Sequence, residues 1–254
     1  MKKVEVKILG FNCASRARNT AWLVLYSLKA AEKFGRRVSE IADIKTGFFD
    51  MSKRDIDPWP YGDKGFEVAP ETDDYFAKKI MPQVRESDGF IFGSAVFNHS
   101  FTSRYIRLIE RLTEAAWKGY LTSKPAGCIS VATMGKGGQD VTLSDMNSSL
   151  KGLGLIVVSW GNGVPSVSGP PFGPFAMDDD HKVIAAKKDE QARRLAVLLG
   201  RRIAEFAVIQ KLAKRKLGNV FTKEFVQIYP RVHSDESWSW WELNKKDYKS
   251  SDRG

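Results

Sequence analysis

The segment GFIFGSAVF, Gly89 to Phe97, constrains the fold more than any other stretch of the chain. It is a continuous apolar run without a polar face, so it suits a strand buried on both sides. Such a strand needs a layer of structure above it and another below. The rest of the sequence supplies those layers. Val4 to Gly10 reads as a first strand. Thr20 to Phe34 reads as a helix with Ala21, Val24, Leu25, Leu28 and Ala31 on one face and Gly35 as its stop. Arg37 to Ile44 reads as a second strand, and Asp74 to Arg85 as a helix. Ser103 to Trp117 is a helix that turns Tyr105, Leu108, Ile109 and Leu112 inward. Lys124 to Met134 is a fourth strand, Gln139 to Leu150 a helix, and Leu155 to Trp160 a fifth strand. Asp179 to Ala213 holds a long helical pattern with Ala192, Leu195, Leu199, Ile203 and Phe206 on one stripe. Strand and helix alternate five times. The pattern predicts an α/β fold: a doubly wound, five-stranded parallel sheet with helices on both faces.

Two longer connections interrupt the rhythm. Lys45 to Thr72 is rich in aromatic residues, and Gly163 to Phe175 is rich in Gly and Pro. Residues 1–213 are expected to form one domain, followed by a basic, Trp-rich extension over 214–254. The aromatic run SWSWWEL, Ser237 to Leu243, is expected to dock across a subunit interface of a homo-oligomer, a dimer or tetramer, rather than to stack on nucleic-acid bases. A chain of 254 residues, 43% hydrophobic, can bury a sizeable core. No stretch approaches the ~20 apolar residues of a membrane span. The opening MKKVEVKILG alternates charges with apolar residues and reads as a strand, not a signal peptide. Two cysteines, Cys13 and Cys128, make neither a disulfide framework nor a metal set, so a cytoplasmic protein without a metal centre is expected. The net charge of +10 favours acidic partners, phosphorylated cofactors among them, without choosing one.

In such a sheet, ligands bind beyond the carboxyl ends of the strands. The loops after strands one, three and four should meet there. The first, FNCASRARNT, crowds hydroxyls, amides and guanidiniums between a strand and a helix. It lacks both the three-glycine dinucleotide fingerprint and the Gly-Lys-Ser/Thr pattern. Ser15, Asn19 and Thr20, with Arg16 or Arg18, could cage a phosphate monoester at the helix N-terminus; Asn19 or Thr20 could equally serve as a simple cap. The second loop lies in GSAVFNHSFTSRYIRLIERL, Gly93 to Leu112. The third, TMGKGGQDVTL, has three glycines that let the backbone lie close to a flat ligand.

Read together, NCASRARNT, GSAVFNHSFTSRYIRLIERL and GKGGQDVTL resemble the flavodoxin-like NAD(P)H-dependent FMN reductases, which include the iron–sulfur flavoproteins and WrbA-type quinone reductases. The resemblance covers roughly residues 1–160. It implies that Cys13, Ser15, Arg16, Arg18, Asn19 and Thr20 hold the FMN phosphate. It places Ser94, Ala95, Val96, Phe97 and Asn98 along the ribityl chain and ring. Thr133, Met134, Gly135, Lys136, Gly137, Gly138 and Gln139 would border the isoalloxazine. The implied activity passes a hydride from NAD(P)H through FMN to a small acceptor such as a quinone or flavin, with no side chain in a catalytic role. The rival is a non-enzymatic flavin-binding electron carrier or interaction module. Several positions depart from the family pattern. Cys13 and Ala14 stand where Ser and Pro are usual, Ala95 replaces Pro, Phe97 replaces Tyr, and His99 replaces Gly. His99 reads either as a hydrogen-bonding group at the ring or as a surface residue. The Lys45 to Thr72 segment contains no cysteine, so no iron–sulfur centre is expected.

Overall fold

The computed structural model describes residues 2–54, 56–59, 73–168 and 184–217. Its strands are all parallel and form one sheet. β1 (Val4–Asn12) lies between β2 (Ala42–Asp50) and β3 (Gly89–Ala95), and β4 (Pro125–Ala132) follows β3. The outer edge of β4 is shared by two short strands. β5 (Ile156–Val157) pairs with Pro125 and Ala126, and β6 (Val164–Val167) pairs with Ile129 to Ala132. They are two pieces of one interrupted fifth strand.

Side-chain alternation along the strands builds two cores. Leu9, Phe11, Phe90, Phe92 and Cys128 face one side, with Phe11 and Phe92 stacked at 5.2 Å. Val6, Ile8, Ile91 and Ile129 face the other. Helix α1 (Asn19–Arg37) and helix α5 (Glu190–Leu217) cover the second core; α2 (Met81–Glu86), α3 (Ser103–Trp117) and α4 (Gln139–Gly152) cover the first. Phe11, Phe90 and Phe92 are fully buried, each stabilising the fold by ~1.5–3 kcal/mol through apolar burial. This is the flavodoxin-like doubly wound architecture that the alternating pattern predicts.

Several boundaries differ from the sequence expectation. Gly35 does not stop α1, which runs on to Arg37; a Cβ at Gly35 would sit 3.0 Å from Ile44 Cβ, so glycine there permits helix-to-strand contact. The second strand is not Arg37 to Ile44 but Ala42–Asp50. Residues after Val38 form the turn into it, and its register is fixed by Val4 opposite Ala42. Phe48 and Phe49 therefore belong to a strand and not to the long connection. The Asp74 to Arg85 helix opens as a π-helical turn over Phe76–Ile80, next to Pro82, which has no N–H to give to a helix. The third strand ends at Ala95 because Phe97 and Ser100 close a hairpin. The fifth strand breaks after Val157, and the Gly/Pro-rich connection contains β6. The long helical pattern begins at Glu190, after a 3₁₀ turn at Ala185–Lys187. Expectations for 169–183 and for the extension beyond Leu217, its tryptophans included, lie outside the described residues. No helix among the described residues is long and apolar enough to cross a membrane.

Candidate functional site

The loop after β1 is shaped by the buried Asn12. Its amide donates to the Asp50 carboxylate at 2.8 Å and to the Arg16 carbonyl at 3.3 Å, and its oxygen accepts the Ala14 N–H at 3.3 Å. The loop then delivers α1, which starts at Asn19 with no side-chain cap and no acidic residue in its first turn. The helix therefore keeps unsatisfied N–H groups and a partial positive charge at the loop. Ser15 and Arg16 are exposed there, Arg18 and Asn19 are half-buried, and Thr20 is buried. Asn19 is partly committed elsewhere: its side-chain oxygen accepts the Ala186 N–H at 3.0 Å, leaving its amide as the group able to donate.

Cys13 belongs to the core. Its thiol is fully buried, and burial pushes its pKa far above the ordinary thiol value although Arg104 opposes the shift. Only its backbone serves the loop: its N–H reaches Gly93 O at 2.7 Å, and its carbonyl accepts from Thr102 Oγ1. Burial likewise raises the Cys128 thiol, with Cys13 adding to the shift. β3 lies between the two cysteine-bearing strands, so their backbones are ~10 Å apart, beyond disulfide reach.

The second loop is tied from within. Ser94 is buried, its hydroxyl donating to Ala95 O at 2.9 Å and accepting Thr102 N–H at 3.0 Å. Ser94 thus reaches a ligand only through the loop it braces. Val96 N–H donates to Val131 O at 2.9 Å. Ala95 and Val96 are half-buried, while Phe97 (56% exposed), Asn98 and His99 face outward. In the third loop Thr133, Met134 (60% exposed), Gly135 and Lys136 are exposed, whereas Gly138 and Gln139 are buried. The Gln139 amide holds Met134 O at 2.9 Å and Ser166 O at 3.3 Å, closing the loop at its base. The first and second loops touch through Cys13, Gly93 and Thr102; the second and third touch through His99 and Gly138. The first and third stand apart on either side of β3. A ligand serving both must span two strand spacings, ~10 Å.

Two buried charged residues that brace the surrounding elements, Arg111 and Asp189, are not evident from the sequence pattern. Arg111, 2% exposed, lies over the Phe76 ring, pairs with the Asp74 carboxylate and donates to Asp57 O, pinning the connection after β2 to α3. Burial would raise the Asp74 pKa, but hydrogen bonds from Arg111 and from backbone N–H groups, with the Arg111 charge, hold it below the usual carboxylate value. Asp189, also buried, accepts from Ser166 Oγ at 2.9 Å and from Ala192 N–H at 2.9 Å, so it caps α5 and anchors β6. The one sequence signal for such residues is a charge inside an otherwise apolar helical stripe or just before a helix.

The structure combines a flavodoxin-like α/β sheet with a polar helix start after β1 that has no side-chain cap and a glycine loop after β4. A family model described as NADPH-dependent FMN reductase matches residues 6–163, well over half the chain, and the chain belongs to that family of flavin-dependent oxidoreductases. An iron–sulfur flavoprotein of Methanocaldococcus jannaschii is 24% identical over 213 residues, covering 83% of this chain and all of that protein. Among solved structures, RosB with bound 8-demethyl-8-formylriboflavin-5'-phosphate superposes with a TM-score of 0.58 at 16% identity, covering 98% of this chain and 88% of that one. A flavone reductase gives 0.53 at 17% identity, covering 80% of this chain; the present chain spans only 63% of its length. These structural likenesses share the fold.

Proposed function

We propose that the three loops hold one FMN per chain. The observation that carries this reading is the uncapped, acid-free start of α1, set one strand away from the loop that meets the glycine turn. The donor set fits a phosphate monoester. Ser15, Arg16, Arg18, Thr20 and the Asn19 amide would hold the phosphate with the first N–H groups of α1. Ala95 to Asn98 and Thr133 to Gln139 would receive the ring. Phe97 and Met134, both more than half exposed, offer apolar surface for a flat aromatic system. Bound there, FMN would accept a hydride from NADH or NADPH and release the electrons to a small acceptor such as a quinone or a free flavin. The first N–H groups of α4, at Gln139 and Asp140, would stabilise negative charge on a ring bound beside the glycine loop. No side chain needs to act as acid or base. Assembly as a homo-oligomer is assigned to the Trp-rich extension over 214–254. Anaerobic stopped flow on the flavin-loaded protein tests the activity. Bleaching by NADH or NADPH, reversed by a quinone, is expected; failure of both nicotinamides leaves the electron-carrier reading in its place.

A further inference from the structure

The second and third loops meet where His99 faces Gly138, and that contact is unusual. Phe97 and Ser100 exchange backbone hydrogen bonds at 2.8 and 2.9 Å, while Asn98 and His99 between them both take positive φ, 48° and 62°. Such two-residue turns favour Asn followed by Gly. Asn98 fits that rule; His99 occupies the glycine position and carries a backbone conformation that L-residues disfavour. Across from it stands Gly138, at φ 95° just before α4. A Cβ at Gly138 would lie 2.7 Å from His99 Cγ, 2.8 Å from its Cα and 2.9 Å from its Nδ1. The imidazole therefore lies against bare backbone, in a gap that only glycine leaves open. The third loop is held at its base by Gln139, and among the described residues nothing lies within 4 Å of a Cβ at Gly135.

We propose that His99 is a positioning residue: its ring props the glycine loop, 135–138, against the hairpin after β3 and so sets the width of the slot for the isoalloxazine. This rests on the FMN reading above. The side chain acts through its shape, filling the space opposite Gly138, and not through either ring nitrogen. A backbone strain at His99 is retained because the brace requires a ring there, while the absent side chain at Gly138 is the other half of the same device.

The test uses the full chain and the variants H99G, H99N, H99F and G138A. Hydrogen exchange of the 133–139 backbone is measured without FMN; FMN affinity and the visible spectrum of the bound flavin are measured separately. H99G and H99N, which suit the turn but lack the ring, are expected to raise exchange in the glycine loop, weaken FMN by about tenfold and shift the flavin bands. H99F retains the ring and is expected to keep both loop protection and spectrum. G138A, whose methyl would meet the His99 backbone as well as its ring and would sit at positive φ, is expected to disturb the glycine loop at least as strongly as H99G. Unchanged loop exchange in H99G overturns the brace, and H99F behaving like H99G assigns the effect to a ring nitrogen and overturns it as well. If the wild-type chain binds no FMN, the proposed function fails, while the exchange arm still decides on the brace.

Discussion

Thr102 ties the first loop, the second loop and α3 together. Its hydroxyl donates to the Cys13 carbonyl and accepts the Tyr105 N–H at the start of α3, and its own N–H meets Ser94 Oγ. Replacing it by Val removes a cap, costing ~1 kcal/mol, and orphans a buried carbonyl, costing ~1 kcal/mol more. Thr102→Val is therefore expected to lower stability by about 2 kcal/mol in urea denaturation, with Thr102→Ser retaining most of it. A ligand role behaves differently. Arg16 is exposed beside the start of α1, and Arg16→Ala is expected to weaken FMN by about tenfold without weakening riboflavin, read by flavin fluorescence quenching. At this scale the sequence displays which residue types are present but not where each points. Asn19 and Ser94 carry the right chemistry in the right loops, yet each spends an atom on holding the protein together. Cys13 sits in a polar stretch but points into the core, because β1 runs on to Asn12 and the strand's alternation carries past the apolar run.

Elements with one dominant environment were legible. β3 and β4 are buried along almost their whole length, and α3 presents an apolar face interrupted by Arg111, so their patterns survive in the residues. β2 was misplaced because it is an edge strand, half-exposed from Asp43 onward, and its pattern is diluted by Asp43, Lys45 and Thr46. The fifth strand was misread because two short pieces share one edge of β4, each too short to show a period. Packing between helices is invisible to any such pattern. A Cβ at Gly200 of α5 would collide with the Ser27 carbonyl of α1, so Gly200→Ala should push the helices apart and cost ~3 kcal/mol, measured by thermal or urea unfolding. The clamp on α3 gives a pH signature. The Asp74 pKa is lowered on folding, so its contribution is complete above the unfolded value of ~3.9 and is lost as pH falls through the folded value. Asp74→Asn removes a carboxylate that pairs with the buried Arg111 and is expected to cost ~3 kcal/mol near neutral pH. It should also flatten the loss of stability on acidification below about pH 4, read by urea titrations at a series of pH values.

At the scale of the whole molecule, strand order brings the loops after β1, β3 and β4 side by side. That juxtaposition was readable from the alternation of strand and helix. The contact between His99 and Gly138 was not, because it depends on backbone conformations at two separate turns. The extension beyond Leu217 carries Trp238, Trp240 and Trp241, and each tryptophan can bury ~150–250 Å². Truncation after Leu217 is expected to reduce the oligomer in light scattering; an unchanged assembly would remove the tail from the interface. The central claim is that the start of α1 binds the phosphate of a flavin. Calorimetric titration of the flavin-free chain with FMN and, separately, with riboflavin tests it most directly, since the two ligands differ only in that phosphate. The structure predicts one FMN per chain, with riboflavin weaker by at least about a hundredfold, in line with the loss of several charge-assisted hydrogen bonds. Equal affinity for the two ligands would contradict it.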